Sequence, residues 1–427
     1  MKNTDITVHK AEKLKGEITI PSDKSISHRS AMFAALTGGV VEVKNFSQGA
    51  DCISTLNIIK ELGCEVETLG EKHIRINAEN AFKKQIYKLD CGNSGTSMRL
   101  FSGIVASREI ESTLFGDQSL SKRPMKRVIL PLELMGAEIK HNDFKAPLVI
   151  KGKELFPIDY KSPIASAQVK SCILLAGLNT IGETKVTEPY ISRDHTERML
   201  KYLGAEIETN DTTTKIKKSK LEPKNLSVCG DISSAAFFLV AGAIVPNSDI
   251  ILKNVGLNPT RTGIIDVMQK MGANLEILDK QTECNEEIGD IRIKTSQLKA
   301  ITIEGSIIPR LIDELPVIAV LATQAEGSTI VKDASDLRNK ESDRIKCLVT
   351  ELKKLGADIE ETPDGFIIHG QKELQGDVET ECYHDHRLAM SLYVAGLICK
   401  QPVKIKEFNW VDISFPEFLG LMETLQY

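Results

Sequence analysis

The stretch "MLKYLGAEIE", residues 199–208, joins two short patterns that together indicate how the chain folds. Its first half has apolar residues at helical spacing and is followed by Gly204, a residue type that often ends a helix in the left-handed conformation. Its second half alternates apolar and polar residues, as a half-buried strand does. The stretch therefore predicts an amphipathic helix, a glycine cap and a strand in immediate succession.

The same pattern occurs five times along the 427-residue chain, which indicates a repeated structural module. Successive glycines of the pattern are 73, 68, 68 and 84 residues apart. This spacing exceeds that of most solenoid repeats and suits a module of several strands and helices. The five stretches are IIKELGCEVE (58–67), PLELMGAEIK (131–140), MLKYLGAEIE (199–208), VMQKMGANLE (267–276) and ELKKLGADIE (351–360).

A second set of six segments has the same spacing and predicts inner helices. Each is apolar on nearly all sides and rich in Ala, Gly and Ser, which is typical of a helix packed closely in an interior. We expect an α/β chain of six modules, three in each of two half-molecules that face a cleft. The six segments are residues 25–39, 95–107, 166–179, 233–245, 314–327 and 385–399.

Polar residues precede each inner helix, where unpaired backbone N–H groups favour anions. Ser, Thr, Asp and Asn are also ordinary N-caps, and capping is the preferred interpretation of Ser166, Asp231 and Ser233 taken alone. Capping does not explain Lys24 and Arg29, because cations are unfavourable at the positive end of a helix. We therefore expect the helix starts to form a composite anion-binding site.

Two further stretches contain charged residues that are candidates for a role in binding or catalysis. In "IIPRLIDELPVIAV" (307–320), Asp313 lies against a continuous apolar segment, and a carboxylate near apolar surface is a candidate base. In "DLRNKESDRIK" (336–346), Lys340 and Arg344 are i,i+4 neighbours on a predicted helix and repel one another unless acids or an anion intervene. An exposed, charged helix start is the simpler interpretation of this second stretch.

Composition excludes several classes of function. A net charge of −5 without a Lys/Arg-rich tract argues against nucleic-acid binding. The longest apolar run, residues 235–245, is too short to cross a membrane, and residues 1–17 contain no apolar core of a signal peptide. Nine cysteines without a C-x-x-C pair are typical of reduced thiols in a cytoplasmic protein. Next to His384 and His386, Arg387 repels cations, so we expect no metal site.

The remaining inventory consists of many Arg and Lys residues, a few acids and one or two histidines. No Walker motif, dinucleotide fingerprint or Ser-His-Asp pattern is present. Such a set suits the binding of two small, multiply anionic substrates with acid–base chemistry between them.

Ten short motifs in a fixed order resemble the 5-enolpyruvylshikimate-3-phosphate synthase family over essentially the whole chain. Most are weak singly, whereas the ordered set is specific. The motifs are DKSISHRS (23–30), GNSGTSMR (92–99), SLSKRPM (119–125), SAQVKS (166–171), RDHTE (193–197), NPTRTG (258–263), IDELP (312–316), KESDR (340–344), DHRLAM (385–390) and SFPEF (414–418).

The resemblance implies a two-domain inside-out α/β barrel of six βαβαββ repeats, open without substrate and closing around it. Residues 1–20 plus 230–427 would form domain I on the donor side, and residues 21–229 would form domain II on the acceptor side. The implied reaction transfers the enolpyruvyl group of phosphoenolpyruvate to the 5-hydroxyl of shikimate 3-phosphate through a tetrahedral intermediate. Phosphate is released, no metal or organic cofactor takes part, and we expect a monomer.

The resemblance also implies site residues in domain II. Lys24 would contact both substrates and take part in catalysis, while Gly95 and Arg123 would lie beside phosphoenolpyruvate. The implied contacts to shikimate 3-phosphate are Ser25, Arg29, Ser166, Ala167, Gln168 and Arg193.

In domain I, Asp313 would bind the acceptor and take the proton of its 5-hydroxyl. Glu341 would move the proton at the methylene carbon. The implied donor clamp is Lys340, Arg344 and Arg387, with His386 as a supporting polar group of open role.

Two alternatives remain at this point. The related UDP-N-acetylglucosamine enolpyruvyl transferases usually carry Lys-Asn at the first motif and a loop Cys before Arg-Pro, whereas this chain has Lys24-Ser25 and no Cys between Phe115 and Arg123. A binding protein on a degenerate scaffold would not need its acids, yet Asp313 is present. Within the family, SAQVK, RDHTE and NPTR resemble the glyphosate-tolerant class II branch, although Ser22 and Gly95 depart from its usual residues.

Overall fold

The computed structural model describes residues 4–426 and divides into two compact units. Unit 1 runs up to Pro21, covers Gly230–Gln281 and continues from Glu287 onward; unit 2 comprises Ser22–Cys229 and Thr282–Glu286. Two details differ from the division expected from the sequence, since residue 21 lies in unit 1 and residues 282–286 lie in unit 2. Residues 1–3, which the expected domain I includes, lie outside the described residues.

Helices and strands alternate along the described residues. The helices are α1 Lys24–Thr37, α2 Ala50–Glu61, α3 Gly95–Ala106, α4 Lys126–Leu134, α5 Ala167–Gly177, α6 His195–Tyr202, α7 Ile232–Ile244, α8 Gly263–Lys270, α9 Ile308–Leu311, α10 Leu315–Ala322, α11 Arg344–Lys354, α12 His386–Gly396 and α13 Phe418–Gln426. Short 3-10 helices span Leu120–Lys122, Gly305–Ile307, Ser335–Asn339 and Phe408–Ile413.

The strands are β1 Ile6–Val8, β2 Lys15–Thr19, β3 Val40–Lys44, β4 Glu65–Gly70, β5 His73–Asn77, β6 Ile86–Asp90, β7 Glu111–Phe115, β8 Glu138–Asn142, β9 Lys145–Lys151, β10 Asp159–Lys161, β11 Glu183–Thr187, β12 Ile207–Asn210, β13 Thr213–Lys217, β14 Leu226–Ser227, β15 Asp249–Gly256, β16 Asn274–Glu283, β17 Glu286–Lys294, β18 Thr302–Ile303, β19 Ser328–Val331, β20 Asp358–Thr362, β21 Gly365–His369, β22 Val378–Glu381 and β23 Val403–Lys406.

Five four-stranded sheets share one topology, in which a parallel pair is extended by an antiparallel hairpin. In unit 2 the strand orders are β14-β3-β5-β4, β6-β7-β9-β8 and β10-β11-β13-β12. In unit 1 they are β16-β17-β15-β2 and β18-β19-β21-β20. With the helices between the strands, four of these sheets form the βαβαββ module that the spacing of the repeats predicts. In the fifth, the outer parallel strand β14 comes from the end of unit 2 instead of preceding α1.

The sixth sheet corrects the expectation of six complete modules. Within the described residues it has three strands in the order β1-β23-β22, so the terminal hairpin is replaced by one antiparallel strand from near the N-terminus. As in the other modules, a helix follows the second strand of the parallel pair: α13 follows β23 and packs on β2.

The five glycine caps predicted from the sequence are confirmed. Gly63, Gly136, Gly204, Gly272 and Gly356 have φ of 102°, 94°, 92°, 87° and 92°. Each glycine N–H donates to the carbonyl three residues earlier, and the next residue's N–H donates to the carbonyl five residues earlier. This is the hydrogen-bond pattern of a Schellman cap, in which a residue with a Cβ would be strained. A strand follows each cap directly.

The six inner helices are also confirmed as α1, α3, α5, α7, α10 and α12. All eight residues of α10 are buried, as are most of α7. Small residues allow close packing: a Cβ added to Gly103 of α3 would lie 2.1 Å from the carbonyl oxygen of Cys172 in α5. No helix within residues 4–426 is both long and apolar enough to span a membrane.

Candidate active site

The capping interpretation of the polar residues before the inner helices is confirmed in part. Ser166 Oγ accepts the N–H of Val169, and Asp231 Oδ1 accepts the N–H of Ser233. Ser233 itself is the second residue of α7 rather than its cap. Asp23 likewise caps α1, the helix whose cations capping does not explain.

Lys24 and Arg29, the two cations at the start of α1, have different partners. Lys24 Nζ lies 3.1 Å from Asp51 Oδ2, and the Lys24 side chain is 30% exposed. The buried guanidinium of Arg29 donates to Thr196 Oγ1, the Ser25 carbonyl and Ser171 Oγ at 2.8, 3.0 and 3.1 Å. Arg29 therefore ties the first turns of α1, α5 and α6 together.

Gly95 lies beside two guanidinium groups. A Cβ at Gly95 would be 2.7 Å from Arg99 Nη1 and 3.6 Å from Arg123 Nη1. Arg99 Nη1 donates to Gln168 Oε1 at 2.8 Å, and Arg123 Nη2 donates to Asn93 Oδ1 at the same distance. Two planar, five-donor cations close to one helix start suit a phosphate or carboxylate group. Arg99 is the last residue of the motif GNSGTSMR, but it was not among the site residues predicted from the sequence.

The segment Ser166-Ala167-Gln168 begins α5 and is half-buried. Gln168 joins it to α3, because its Nε2 donates to Thr96 Oγ1 at 3.1 Å while its Oε1 accepts from Arg99. Arg193 is half-buried in the loop before α6.

Arg344 is the centre of a buried ion-pair network in unit 1. Its side chain is 1% exposed, and its Nε lies 2.7 Å from Asp385 Oδ2. Its Nη2 donates to Glu341 Oε2 at 2.5 Å, and its Nη1 lies 3.4 Å from Asp313 Oδ1. The Arg344 guanidinium thus contacts two other predicted site residues, Asp313 and Glu341, and also Asp385.

Burial and charge act in opposite directions in this network. Burial disfavours the charged form of Arg344, yet the carboxylates of Asp385, Glu341 and Asp313 together hold its pKa above the ordinary value. Burial likewise raises the pKa of Asp385, but the Arg344 guanidinium outweighs it and the net pKa is lowered. Both groups are therefore ionised in the folded chain at neutral pH.

Lys340 and Arg344 are not on one helix, so that expectation was wrong. Lys340 follows the 3-10 helix Ser335–Asn339, whereas Asp343 caps α11, which begins at Arg344. The break lets Lys340 Nζ approach Asp313 Oδ1 to 3.5 Å. The repulsion anticipated from the i,i+4 spacing is relieved by Asp313, which both cations contact.

The start of α12 completes the group in unit 1. Arg387 Nη1 donates to the Asp313 carbonyl at 3.3 Å, and the buried His386 precedes it as the first residue of α12. Asp385 caps this helix by accepting the N–H groups of Arg387 and Leu388. The carboxylate of Asp313 lies close to the cations Lys340 and Arg344. Such a carboxylate is placed to exchange a proton with an anionic substrate that the cations bind.

Two acidic residues, one in each unit, were missed as site residues. Asp385 was quoted within a motif, and the signal for it was its position as the cap of α12. Glu188 was not singled out; its carboxylate accepts the N–H of Ser166 at 2.7 Å across 22 positions of sequence. Across residues 4–426, no group of three or more His, Cys, Asp or Glu side chains is arranged to hold a metal ion.

Comparisons with known proteins agree over the full length of the chain. A family model described as EPSP synthase (3-phosphoshikimate 1-carboxyvinyltransferase) matches residues 8–422. The 3-phosphoshikimate 1-carboxyvinyltransferase of Bacillus subtilis (strain 168) is 51% identical over 420 residues, 97% of this chain and 98% of that protein. The enzyme of that name from Bacillus pumilus (strain SAFR-032) is 52% identical over 422 residues, 98% and 99% of the two chains.

Solved structures show the same likeness. The structure of EPSP synthase from Acinetobacter baumannii at 2.37 Å matches with a TM-score of 0.89 and 42% sequence identity, and the match covers 99% of this chain and 98% of that one. This match confirms the α/β fold class expected from the motifs. The chain therefore belongs to the EPSP synthase (3-phosphoshikimate 1-carboxyvinyltransferase) family.

Proposed function

We propose that this chain performs the reaction for which its family is named. It transfers the enolpyruvyl group of phosphoenolpyruvate to the 5-hydroxyl of shikimate 3-phosphate and releases phosphate, a step of the shikimate pathway towards aromatic amino acids. The observation that carries this conclusion is the match of the family model to residues 8–422, together with relatives of the same name about half identical over nearly the whole chain.

Unit 2 supplies most of the anion-binding groups in this proposal. Lys24, Gly95 and Arg123 lie at the donor, and Arg99 joins them because its Nη1 lies next to Gly95. Shikimate 3-phosphate is held by Ser25, Arg29, Ser166, Ala167, Gln168 and Arg193. This assignment is supported by the hydrogen bonds that join the first turns of α1, α3, α5 and α6.

Unit 1 supplies the proton-transfer groups. Asp313 takes the 5-hydroxyl proton as that oxygen attacks C2 of phosphoenolpyruvate, and Glu341 delivers a proton to C3. In the elimination, C3 loses a proton and the C2–O bond to phosphate breaks, which restores the C2=C3 double bond and gives the enol ether product. The roles are supported by the 3.4 Å and 2.5 Å contacts of these two acids with the same Arg344 guanidinium.

Lys340, Arg344 and Arg387 form the donor clamp, with His386 as a supporting polar group. Arg344 is buried against Glu341, so a donor anion reaches its Nη2 only when Glu341 moves aside. Lys340 is 25% exposed and its contacts to Asp313 and Asp336 are 3.5 and 3.8 Å long, so it needs less rearrangement.

Three finer statements complete the proposal. The chain belongs to the class II branch, which is supported by the motifs SAQVK (166–170), RDHTE (193–197) and NPTR (258–261). It works as a monomer in the cytoplasm. It uses neither metal nor organic cofactor, since the proposed chemistry is proton transfer and electrostatic stabilisation alone.

The test is phosphate release from phosphoenolpyruvate by the purified chain with either shikimate 3-phosphate or UDP-N-acetylglucosamine as acceptor. Release with shikimate 3-phosphate alone is the expected result. Release with the nucleotide sugar alone would transfer the chain to the related enzyme activity, and release with neither would favour a binding protein. Asp313→Asn should abolish turnover while shikimate 3-phosphate still binds; unchanged turnover would overturn the assignment of the base.

A further inference from the structure

Glu188 is a buried carboxylate just beyond the end of β11 that joins two segments of unit 2. Its Oε1 accepts the N–H of Ser166 at 2.7 Å, and its Oε2 accepts the hydroxyl of Ser192 at 2.7 Å. The Lys170 ammonium lies 2.9 Å from the same Oε2. The Glu188 side chain is only 2% exposed, so these contacts are made out of water.

The two segments that Glu188 joins carry proposed acceptor contacts. Ser166 is the N-cap of α5 and the first residue of the segment Ser166-Ala167-Gln168. Ser192 directly precedes Arg193 in the loop that leads into α6. One carboxylate group therefore sets the position of both a helix start and a loop arginine.

Lys170 fixes the carboxylate in turn. It lies in the first turn of α5, and its ammonium contacts Glu188 at 2.9 Å and Glu197 at 2.8 Å. Burial disfavours its charge, but the two carboxylates outweigh burial and raise its pKa. Its Nζ also donates to the Ser192 carbonyl at 3.4 Å, so the lysine and the glutamate hold the same loop residue.

We propose that Glu188 is a positioning residue for the acceptor: by holding the N–H of Ser166 and the hydroxyl of Ser192 it fixes the spacing between the Ser166-Ala167-Gln168 segment and Arg193. The inference rests on the proposed function, because that function assigns both segments to shikimate 3-phosphate. Glu188 acts through these segments and touches no reacting atom. Its loss weakens acceptor binding and leaves donor binding unchanged.

The chain contains a matched pair of variants for the test. Glu188→Gln keeps an oxygen for Ser166 but turns an amide N–H₂ towards Lys170, which has no acceptor to offer. Glu197→Gln removes the other carboxylate of the same ammonium, and the contacts described for Glu197 are with Lys170 and Thr214, not with Ser166 or Ser192. Both variants therefore disturb one buried ion pair, and only the first alters the group that holds the two segments.

The measurements are the KM for each substrate, kcat, and the affinity for shikimate 3-phosphate alone by calorimetry. We expect Glu188→Gln to raise the KM and the Kd for shikimate 3-phosphate by tenfold or more, with the KM for phosphoenolpyruvate changed less than twofold. Glu197→Gln should change the acceptor KM less than twofold. An equal effect of the two variants on the acceptor KM, or a parallel rise in both KM values for Glu188→Gln, would overturn the proposal.

Ser192→Ala keeps the test decisive if Glu188→Gln does not fold, because it removes one hydrogen bond and leaves the ion pair. It should raise the acceptor KM three- to fivefold, and an unchanged KM would count against the proposal. Failure of the proposed function is distinguishable, since the unmodified chain would then show no turnover and no calorimetric binding with shikimate 3-phosphate. Binding by the unmodified chain together with unaltered binding by both Glu188→Gln and Ser192→Ala would refute the positioning role alone.

Discussion

The two arginines beside Gly95 in unit 2 and Arg344 in unit 1 have different surroundings. In unit 2, the hydrogen bonds described for Arg123 and Arg99 go to the amide oxygens of Asn93 and Gln168 and to a backbone carbonyl. In unit 1, Arg344 contacts the carboxylates of Asp313, Glu341 and Asp385. The described partner of Arg123 is thus a neutral amide, whereas Arg344 is surrounded by acids.

The difference indicates that arginine has two roles in this chain. A guanidinium held by amide oxygens keeps its charge for a substrate anion, whereas one held by three carboxylates neutralises and orients those acids. We therefore expect changes at Arg123 to act mainly on substrate binding, and changes at Arg344 to act on stability as well as on turnover. Four predictions follow this contrast from the largest expected effect to the smallest.

Arg344→Met should lower the free energy of unfolding by about 3–5 kcal/mol, because it leaves buried carboxylates without their cation. Asp385 is most affected, since its side chain is fully buried and its lowered pKa depends on Arg344. Urea denaturation at neutral pH measures the loss.

Arg123→Met is the matched variant in unit 2. It gives up one described hydrogen bond, to Asn93, from a half-buried side chain, so we expect a loss below about 1 kcal/mol and a raised KM for phosphoenolpyruvate. Equal destabilisation by the two variants would remove the distinction between the units.

As the pH falls, unit 2 should lose stability at a higher pH than the ion-pair network of unit 1. Burial lowers the pKa of His28 from 6.5 to about 3 in the folded chain. On acidification, His28 therefore binds a proton in the unfolded chain at a higher pH than in the folded chain. His28 therefore contributes stability that is fully present above pH 6.5 and is lost as the pH falls towards 3. The pKa of Asp385 is lowered from 3.8, so its contribution is lost only below that value.

The pH dependence should reveal His28 by difference. Between pH 6.5 and 5 the unmodified chain should lose about 1.6 kcal/mol more stability than His28→Gln, because the slope rises towards roughly 1.4 kcal/mol per pH unit as the unfolded histidine becomes fully protonated. His9→Gln, at an exposed position, serves as the control and should follow the unmodified chain. Parallel pH profiles for the unmodified chain and His28→Gln would show that His28 is protonated in the folded state.

Features that depend on local sequence were predictable. A glycine after an amphipathic helix needs only its own turn to adopt positive φ, and all five caps formed at the expected residues. The break between Lys340 and Arg344 was not predictable from spacing, because Lys340 approaches Asp313, 27 positions earlier in the chain. The same holds for Glu188, whose role depends on where β11 ends relative to α5.

The third sheet of unit 1 shows a different limit. Periodicity predicted a sixth module from its inner helix alone, since no sixth glycine-capped stretch exists in the sequence. The strand that completes the sheet, β1, comes from the other end of the chain, and spacing along the sequence cannot reveal such pairing. The sequence pattern therefore predicted local elements, but it did not predict which strands pair over long distances along the chain.

Gly95→Ala tests the arginine pair of unit 2 at smaller cost. The new Cβ would lie 2.7 Å from Arg99 Nη1, the movable end of a side chain, so the guanidinium shifts and its bond to Gln168 weakens. We expect a roughly tenfold higher KM for phosphoenolpyruvate, equivalent to about 1.4 kcal/mol, with little change in unfolding free energy. Gly420→Ala is the control, because its new Cβ would have no atom within 4 Å. An equal KM for phosphoenolpyruvate in the unmodified chain and both variants would show that Gly95 does not lie at the donor site.

The smallest effects should come from exposed ion pairs, whichever unit holds them. Lys153 and Glu138 in unit 2 approach to 2.8 Å, and Lys400 and Glu373 in unit 1 approach to 2.7 Å, with all four side chains at least 43% exposed. Water and salt screen such pairs, so Lys153→Met and Lys400→Met should each change the free energy of unfolding by less than about 0.5 kcal/mol. Urea denaturation at low and high salt measures both. A larger loss for Lys400→Met alone would mean that acids stabilise unit 1 throughout, and that the contrast with unit 2 extends beyond the buried network of Arg344.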